Sequence, residues 1–120
     1  MANPQKRLQD LSEEYRSLET DLSTNVAARQ KLESQQQENK AVQKEFAKLT
    51  DDDNIYKLIG PVLLKQERNE AEMAVNGRLE FIEKEINRIE KKIADIQQTS
   101  ETKKMEIYQL QTQLQAATPS

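Results

Sequence analysis

The sequence has no cysteine and no histidine. Without cysteine there is no disulfide framework and no thiolate metal site, which is compatible with a reducing intracellular compartment. Without histidine, the usual general base near neutral pH and the usual imidazole ligand are both missing. Aromatic residues make up only 4% of the 120 residues and hydrophobic residues only 35%, too little for an ordinary globular core of this length. Two glycines and three prolines leave little to interrupt a helix. The apolar runs are short, as at Val62-Leu63-Leu64, and none could span a bilayer. The start, Met1-Ala2-Asn3-Pro4-Gln5, lacks a charged-then-apolar leader pattern, so a cytoplasmic location and no membrane partner are expected. The formal charge of −3 gives no reason to expect a nucleic-acid partner.

What is present is charge, 32% of residues, with abundant Ala, Glu, Gln, Lys and Leu. Such a chain is either disordered or a coiled coil, and periodicity decides between them. Leu8, Leu11, Tyr15, Leu18 and Leu22 alternate spacings of three and four, the seam of a heptad repeat. The count continues through Asn25, Arg29, Leu32, Gln36, Asn39, Gln43 and Phe46, so the middle of the first helix has a polar seam. Val42, Phe46 and Leu49 fit a shifted register, which suggests a phase change near Gln36–Asn39. The second helix is more regular. Val75, Leu79, Ile82, Ile86, Ile89, Ile93 and Ile96 keep the alternation without a miss, then Ser100 and Lys103 interrupt it before Ile107, Leu110 and Leu114.

Between the helices the pattern changes. Thr50-Asp51-Asp52-Asp53-Asn54 is a polar breaker, and Ile55–Ile59 and Val62–Lys65 read as strands about a Gly60-Pro61 turn. Gly60 suits the positive φ of a type II′ turn and Pro61 the position after it. This pairs Ile59 with Val62, Leu58 with Leu63, Lys57 with Leu64 and Tyr56 with Lys65. Both faces of such a hairpin are largely apolar, and its open edges call for partners. Asn76-Gly77 is a hairpin signal elsewhere. Here the seam runs through it, so it reads as helix interior with a weakness of about 1 kcal/mol. Asn69, with Glu72 three residues on, suggests a cap for the second helix. The termini, to about Gln5 and from Ala116, are expected to fray.

The expected fold is therefore mainly α, a single domain over 1–120. A helix over about 5–50 folds back antiparallel on one over about 68–116, each roughly 60 Å long, with a β-hairpin over about 54–66 between them. Facing residues should have numbers adding to about 116, from Leu49 and Glu67 flanking the hairpin. For the polar seam two accounts stay open: Arg29 lays its stem on the seam and sends its charge outward, or Asn25 and Asn39 fix register.

Candidate chemistry is sparse. Asp51-Asp52-Asp53-Asn54 resembles the start of a calcium loop but has Tyr56 where glycine is required and Val62 where glutamate is. Lys91-Lys92 and Lys103-Lys104 lie among Glu83, Glu85, Glu90, Asp95 and Glu101, an alternating solvated face. The only two glycines are seventeen positions apart, so there is no phosphate loop. No enzyme, no cofactor and no metal are expected. Two surfaces stand out. Ile55, Tyr56, Leu58, Ile59, Val62, Leu63 and Leu64 form the apolar hairpin, an oligomer-assembly surface. Leu8, Leu11, Met105, Ile107, Tyr108, Leu110 and Leu114 gather at the opposite tip, with Met105 and Tyr108 off the seam and exposed. That tip reads either as a plain closure of the coil or as an adaptable apolar surface for promiscuous binding. A structural coiled-coil tether or spacer is the rival for the whole chain, and the sticky hairpin argues against it.

The run Tyr56-Lys57-Leu58-Ile59-Gly60-Pro61-Val62-Leu63-Leu64-Lys65-Gln66-Glu67 resembles β-type prefoldin subunits. Glu70-Ala71, Val75, Arg78-Leu79-Glu80 and Glu85-Ile86 share the resemblance, as do Asp21-Leu22, Arg29–Glu33 and Glu38-Asn39 in the first helix. It implies a heterohexamer of two α-type and four β-type subunits whose hairpins join an intersubunit β-barrel. It also implies nucleotide-independent capture of unfolded proteins, such as nascent actin and tubulin, at the tips, and their delivery to the cytosolic group II chaperonin. The single hairpin matches the β type.

Overall fold

The computed structural model describes residues 3–50 and 52–117. The elements are α1 (Pro4–Ala47), β1 (Ile55–Ile59), β2 (Val62–Gln66) and α2 (Arg68–Ala117). Of the expected fraying, Met1, Ala2 and Thr118 to Ser120 lie outside the described residues. Pro4, Gln5, Ala116 and Ala117 are helical instead. The start of α1 is held by a cap: Gln5 N donates to Asn3 Oδ1 at 3.0 Å and Arg7 N to the Asn3 carbonyl at 2.9 Å. Pro4 sits at the first helical position, where a missing N–H costs nothing.

α1 ends at Ala47 rather than near residue 50. Lys48 N and Leu49 N turn back to the carbonyls of Glu45 and Phe46, tightening the last turn. The Phe46 and Leu49 carbonyls also accept from the Arg68 guanidinium, at 2.9 and 3.2 Å. Arg68 is thus both the first residue of α2 and the basic group that satisfies the end of α1. Its Nε binds Glu72 at 3.0 Å. The expected cap at Asn69 is wrong: Asn69 is inside α2, whose first backbone bond runs from Ala71 N to the Glu67 carbonyl, and Glu72 serves Arg68. Asn76-Gly77 is helix interior, as the seam requires.

The chain forms two compact units. The first combines Met1–Arg29 with Ile89–Ser120. Leu11, Ile89, Ile93 and Ser100 are buried in it, with Leu8, Tyr15, Leu18, Leu22, Ile96, Ile107, Leu110 and Leu114 half-buried. Its helices are antiparallel: Arg7 pairs with Glu106 at 3.7 Å and Glu14 with Lys103 at 2.8 Å. The second unit is Gln30–Arg88, including the hairpin. Ala71, Val75, Ile82 and Ile86 are buried there, so the α2 seam extends one step before Val75. In both units the numbers of facing partners add to within about three of 116, as expected for antiparallel helices.

The polar seam of α1 keeps its register as far as Asn39. Leu32, Gln36, Asn39 and Phe46 are half-buried, whereas Val42 is 42% exposed. Gln43 is exposed as well, while Leu49 of the shifted register is half-buried. Asn25 and Asn39 do not reach across to fix register through their amide nitrogens. Each Nδ2 donates to its own helix four residues back, to Asp21 O at 2.8 Å and Gln35 O at 2.7 Å. Gln43 Nε2 does reach across, donating to Asn76 Oδ1 at 2.9 Å.

Candidate functional site

The hairpin is a two-stranded antiparallel sheet with the register Ile55 to Gln66, Tyr56 to Lys65, Lys57 to Leu64, Leu58 to Leu63 and Ile59 to Val62. Gly60 has φ of 58° and no other described residue has positive φ, so Pro61 takes the negative φ that a type II′ turn needs. Alternation divides the side chains into two faces. Ile55, Lys57, Ile59, Val62, Leu64 and Gln66 share one face; Tyr56, Leu58, Leu63 and Lys65 share the other. Six large apolar side chains are exposed over the two faces, from Leu64 at 49% to Leu58 at 66%. Ile55 differs from them. It is half-buried and lines a groove with Val42, Phe46, Tyr56, Val75 and Arg78, anchoring the hairpin to the helices of its own unit. Each strand has one neighbour only, so the outer edges of both are open.

Among the described residues, the chain-terminal parts of α1 and α2 form the second candidate surface. Leu11 is buried, Leu8, Ile107, Leu110 and Leu114 are half-buried, and Met105 and Tyr108 are 58% and 70% exposed. Met105 and Tyr108 line a shallow, mainly apolar depression with Glu101, Lys104 and Gln109. Ser100 and Lys103 do not break the seam as expected. Ser100 is small enough to be buried on it, and its Oγ has no hydrogen-bond partner among the described residues. Lys103 is half-buried, and its ammonium reaches Glu14 across the helices. That hydrogen bond is the main cause that raises the Lys103 pKa above the ordinary lysine value. The sequence signal for this pair was the opposite charge of positions 14 and 103 under the antiparallel count.

The acidic stretch before β1 serves a turn. Thr50 N and Oγ1 both donate to Asp53 Oδ2, at 2.8 and 3.2 Å, and Asp53 N donates back to Thr50 O. Asp51 lies outside the described residues. On α2, Glu85 accepts two bonds from Arg88, and the Arg88 hydrogen bond lowers its pKa. These are solvated side-chain pairs of a helix surface. No helix among the described residues is long and apolar enough to cross a membrane.

The family model described as prefoldin subunit matches residues 9–114. The chain belongs to the prefoldin subunit family. It is 44% identical over 113 residues to prefoldin subunit 6 of Bos taurus, covering 94% of this chain and 88% of the relative. To prefoldin subunit 6 of Saccharomyces cerevisiae it is 47% identical over 103 residues, covering 86% and 90%. The fold matches the crystal structure of the prefoldin beta subunit from Thermococcus strain KS-1 with a TM-score of 0.79 at 22% identity, covering 89% of this chain and 94% of that one. As a prefoldin subunit, the chain is a chaperone component that assembles with other prefoldin subunits. The prefoldin match takes in both helices and the hairpin, and with them both candidate surfaces almost entirely.

Proposed function

We propose that this chain is a β-type subunit of a cytoplasmic, heterohexameric, ATP-independent prefoldin with two α-type and four β-type subunits. Its hairpin joins an intersubunit β-barrel. The terminal ends of its helices capture unfolded proteins, nascent actin and tubulin among them, for transfer to the group II cytosolic chaperonin. The chain is not an enzyme and uses no cofactor.

The observation that carries this reading is the hairpin, with six large apolar side chains exposed on two faces and two open edges. Covering them is worth about 5–10 kcal/mol in gross transfer energy, since each is about half exposed and full burial is worth about 1.5–3 kcal/mol per side chain. Part of that offsets the entropy of association. Exposed Met105 and Tyr108 support the second half of the reading, because a mobile thioether and an amphipathic ring adapt to unlike sequences. Each contact would be weak, and several subunits acting together raise avidity.

Leu58→Asp or Leu63→Asp should keep the chain out of the complex, since an unpaired buried charge costs about 3–5 kcal/mol. Native mass spectrometry of co-expressed subunits reads this directly, and normal stoichiometry would rule out the barrel placement. A chain lacking the residues before Gln9 and after Lys103 should assemble yet suppress aggregation of a denatured client less well. Undiminished suppression would place the clients elsewhere on the complex.

A further inference from the structure

The hairpin carries two charges, and both are positive. Ile55 to Gln66 includes Lys57 and Lys65 and no aspartate or glutamate. The register puts the lysines on opposite faces. Lys57 stands beside Leu64 on the face of Ile59 and Val62, and Lys65 beside Tyr56 on the face of Leu58 and Leu63. Among the described residues neither lysine has an ion-pair partner. Whatever covers the apolar faces also strips water from two ammonium groups. A charge stripped of water without a counter-charge opposes association more strongly than one apolar side chain favours it.

A second copy of this chain is a poor cover. Its hairpin brings two more lysines and no acid. If two copies paired antiparallel about the centres of their β1 strands, Lys57 would stand opposite Lys57, and like charges directly opposed destabilise a strand pair. The open edges that make the hairpin adhesive are thus guarded against the chain itself.

We propose that Lys57 and Lys65 select the neighbour in the complex: a prefoldin subunit of different sequence whose covering strands present a carboxylate to each lysine. They disfavour a second copy of this chain on the same faces. This rests on the reading of the hairpin as the assembly surface. The lysines add specificity to an apolar contact that would otherwise accept any prefoldin hairpin.

The test uses the full chain co-expressed with the other prefoldin subunits, with native mass spectrometry as readout. Four forms are compared: wild type, Lys57→Glu with Lys65→Glu, Lys57→Met with Lys65→Met, and Leu58→Asp. The charge-reversed form should enter the complex about tenfold less than wild type. The methionine form, purified alone, should self-associate about tenfold more tightly than wild type. Wild type mixed with isotope-labelled charge-reversed chain should give mixed pairs in excess of either self-pair, which also shows that the variant is folded. Normal entry of the charge-reversed form while Leu58→Asp is excluded overturns the proposal and leaves the assembly surface standing. Normal entry of both overturns the assembly surface and the proposal with it. Equal self-association of wild type and the methionine form overturns the selection against a second copy.

Discussion

Ser100→Ala should stabilise the helix pair around it. Ser100 is only 7% exposed and its Oγ has no hydrogen-bond partner among the described residues. A buried hydroxyl left unpaired costs about 1–3 kcal/mol. Alanine adds about 0.5 kcal/mol of helix propensity over serine. Against this, deleting one oxygen leaves a void of little more than ten cubic ångströms, a cost of about 0.3 kcal/mol. A net gain of about 1 kcal/mol is therefore a low estimate, equivalent to about fivefold slower local opening. The assay is hydrogen exchange of the assembled complex, read by mass spectrometry on peptides between Ile96 and Ile107. Amides there should exchange about fivefold more slowly in the variant. Unchanged or faster exchange would mean that the hydroxyl is satisfied in solution, and that the serine supports the seam rather than weakening it. If the gain appears together with reduced suppression of client aggregation, the serine is a stability cost kept for the use of the chain-terminal surface.

Gly77→Ala should raise stability by about 1 kcal/mol, since the added methyl meets nothing within 4 Å in a helix interior; thermal unfolding followed by circular dichroism checks it. Gly60→Ala should cost about 1–2 kcal/mol at φ of +58°, although space is open there too. The loss should appear as a lower yield of assembled complex. Arg68→Met keeps the apolar stem but leaves the Phe46 and Leu49 carbonyls without their charged donor. A hydrogen bond to a charged group is worth about 1.5–3 kcal/mol, and the lower end applies because Arg68 is partly exposed. Faster exchange across residues 44–50 should result.

The hairpin was the most legible part of the sequence because its determinants are local. A two-residue turn needs Gly60 at positive φ, and once the turn is set the strand register follows. The α2 seam was legible because Val75 to Ile96 never breaks the spacing. The features that escaped depend on residues distant in the chain. α1 stops at Ala47 in a tightened turn whose carbonyls meet an arginine about twenty residues on. In the polar stretch of α1 a hydrogen bond runs from Gln43 to Asn76, a partner the local pattern does not indicate. Asn25 and Asn39 escaped differently, since each has a nearby carbonyl in its own helix. The cap at Asn3 was available, because asparagine before proline is a helix-start signal. Of the two candidate surfaces, hairpin exposure followed from alternation, whereas the seam through Ser100 and Lys103 required knowing that Glu14 lies opposite.

The bonds from Arg68 to Phe46 and Leu49 bear on the order in which the coil forms. They close loops of 22 and 19 residues, and Gln43 with Asn76 closes one of 33. The Glu14–Lys103 bridge spans about 90 residues, and closing that loop from an open chain costs about 1 kcal/mol more than closing the shortest. Once the short loops are closed, each further pair adds only a few residues of new loop. Zippering from the hairpin toward the termini is therefore the least costly route. A nascent chain can complete its hairpin soon after Arg68 is synthesised, while the partners of Leu8 and Leu11 are still to come. The same order in reverse makes the terminal pairs the first to part under load, and that is where the half-buried leucines lie.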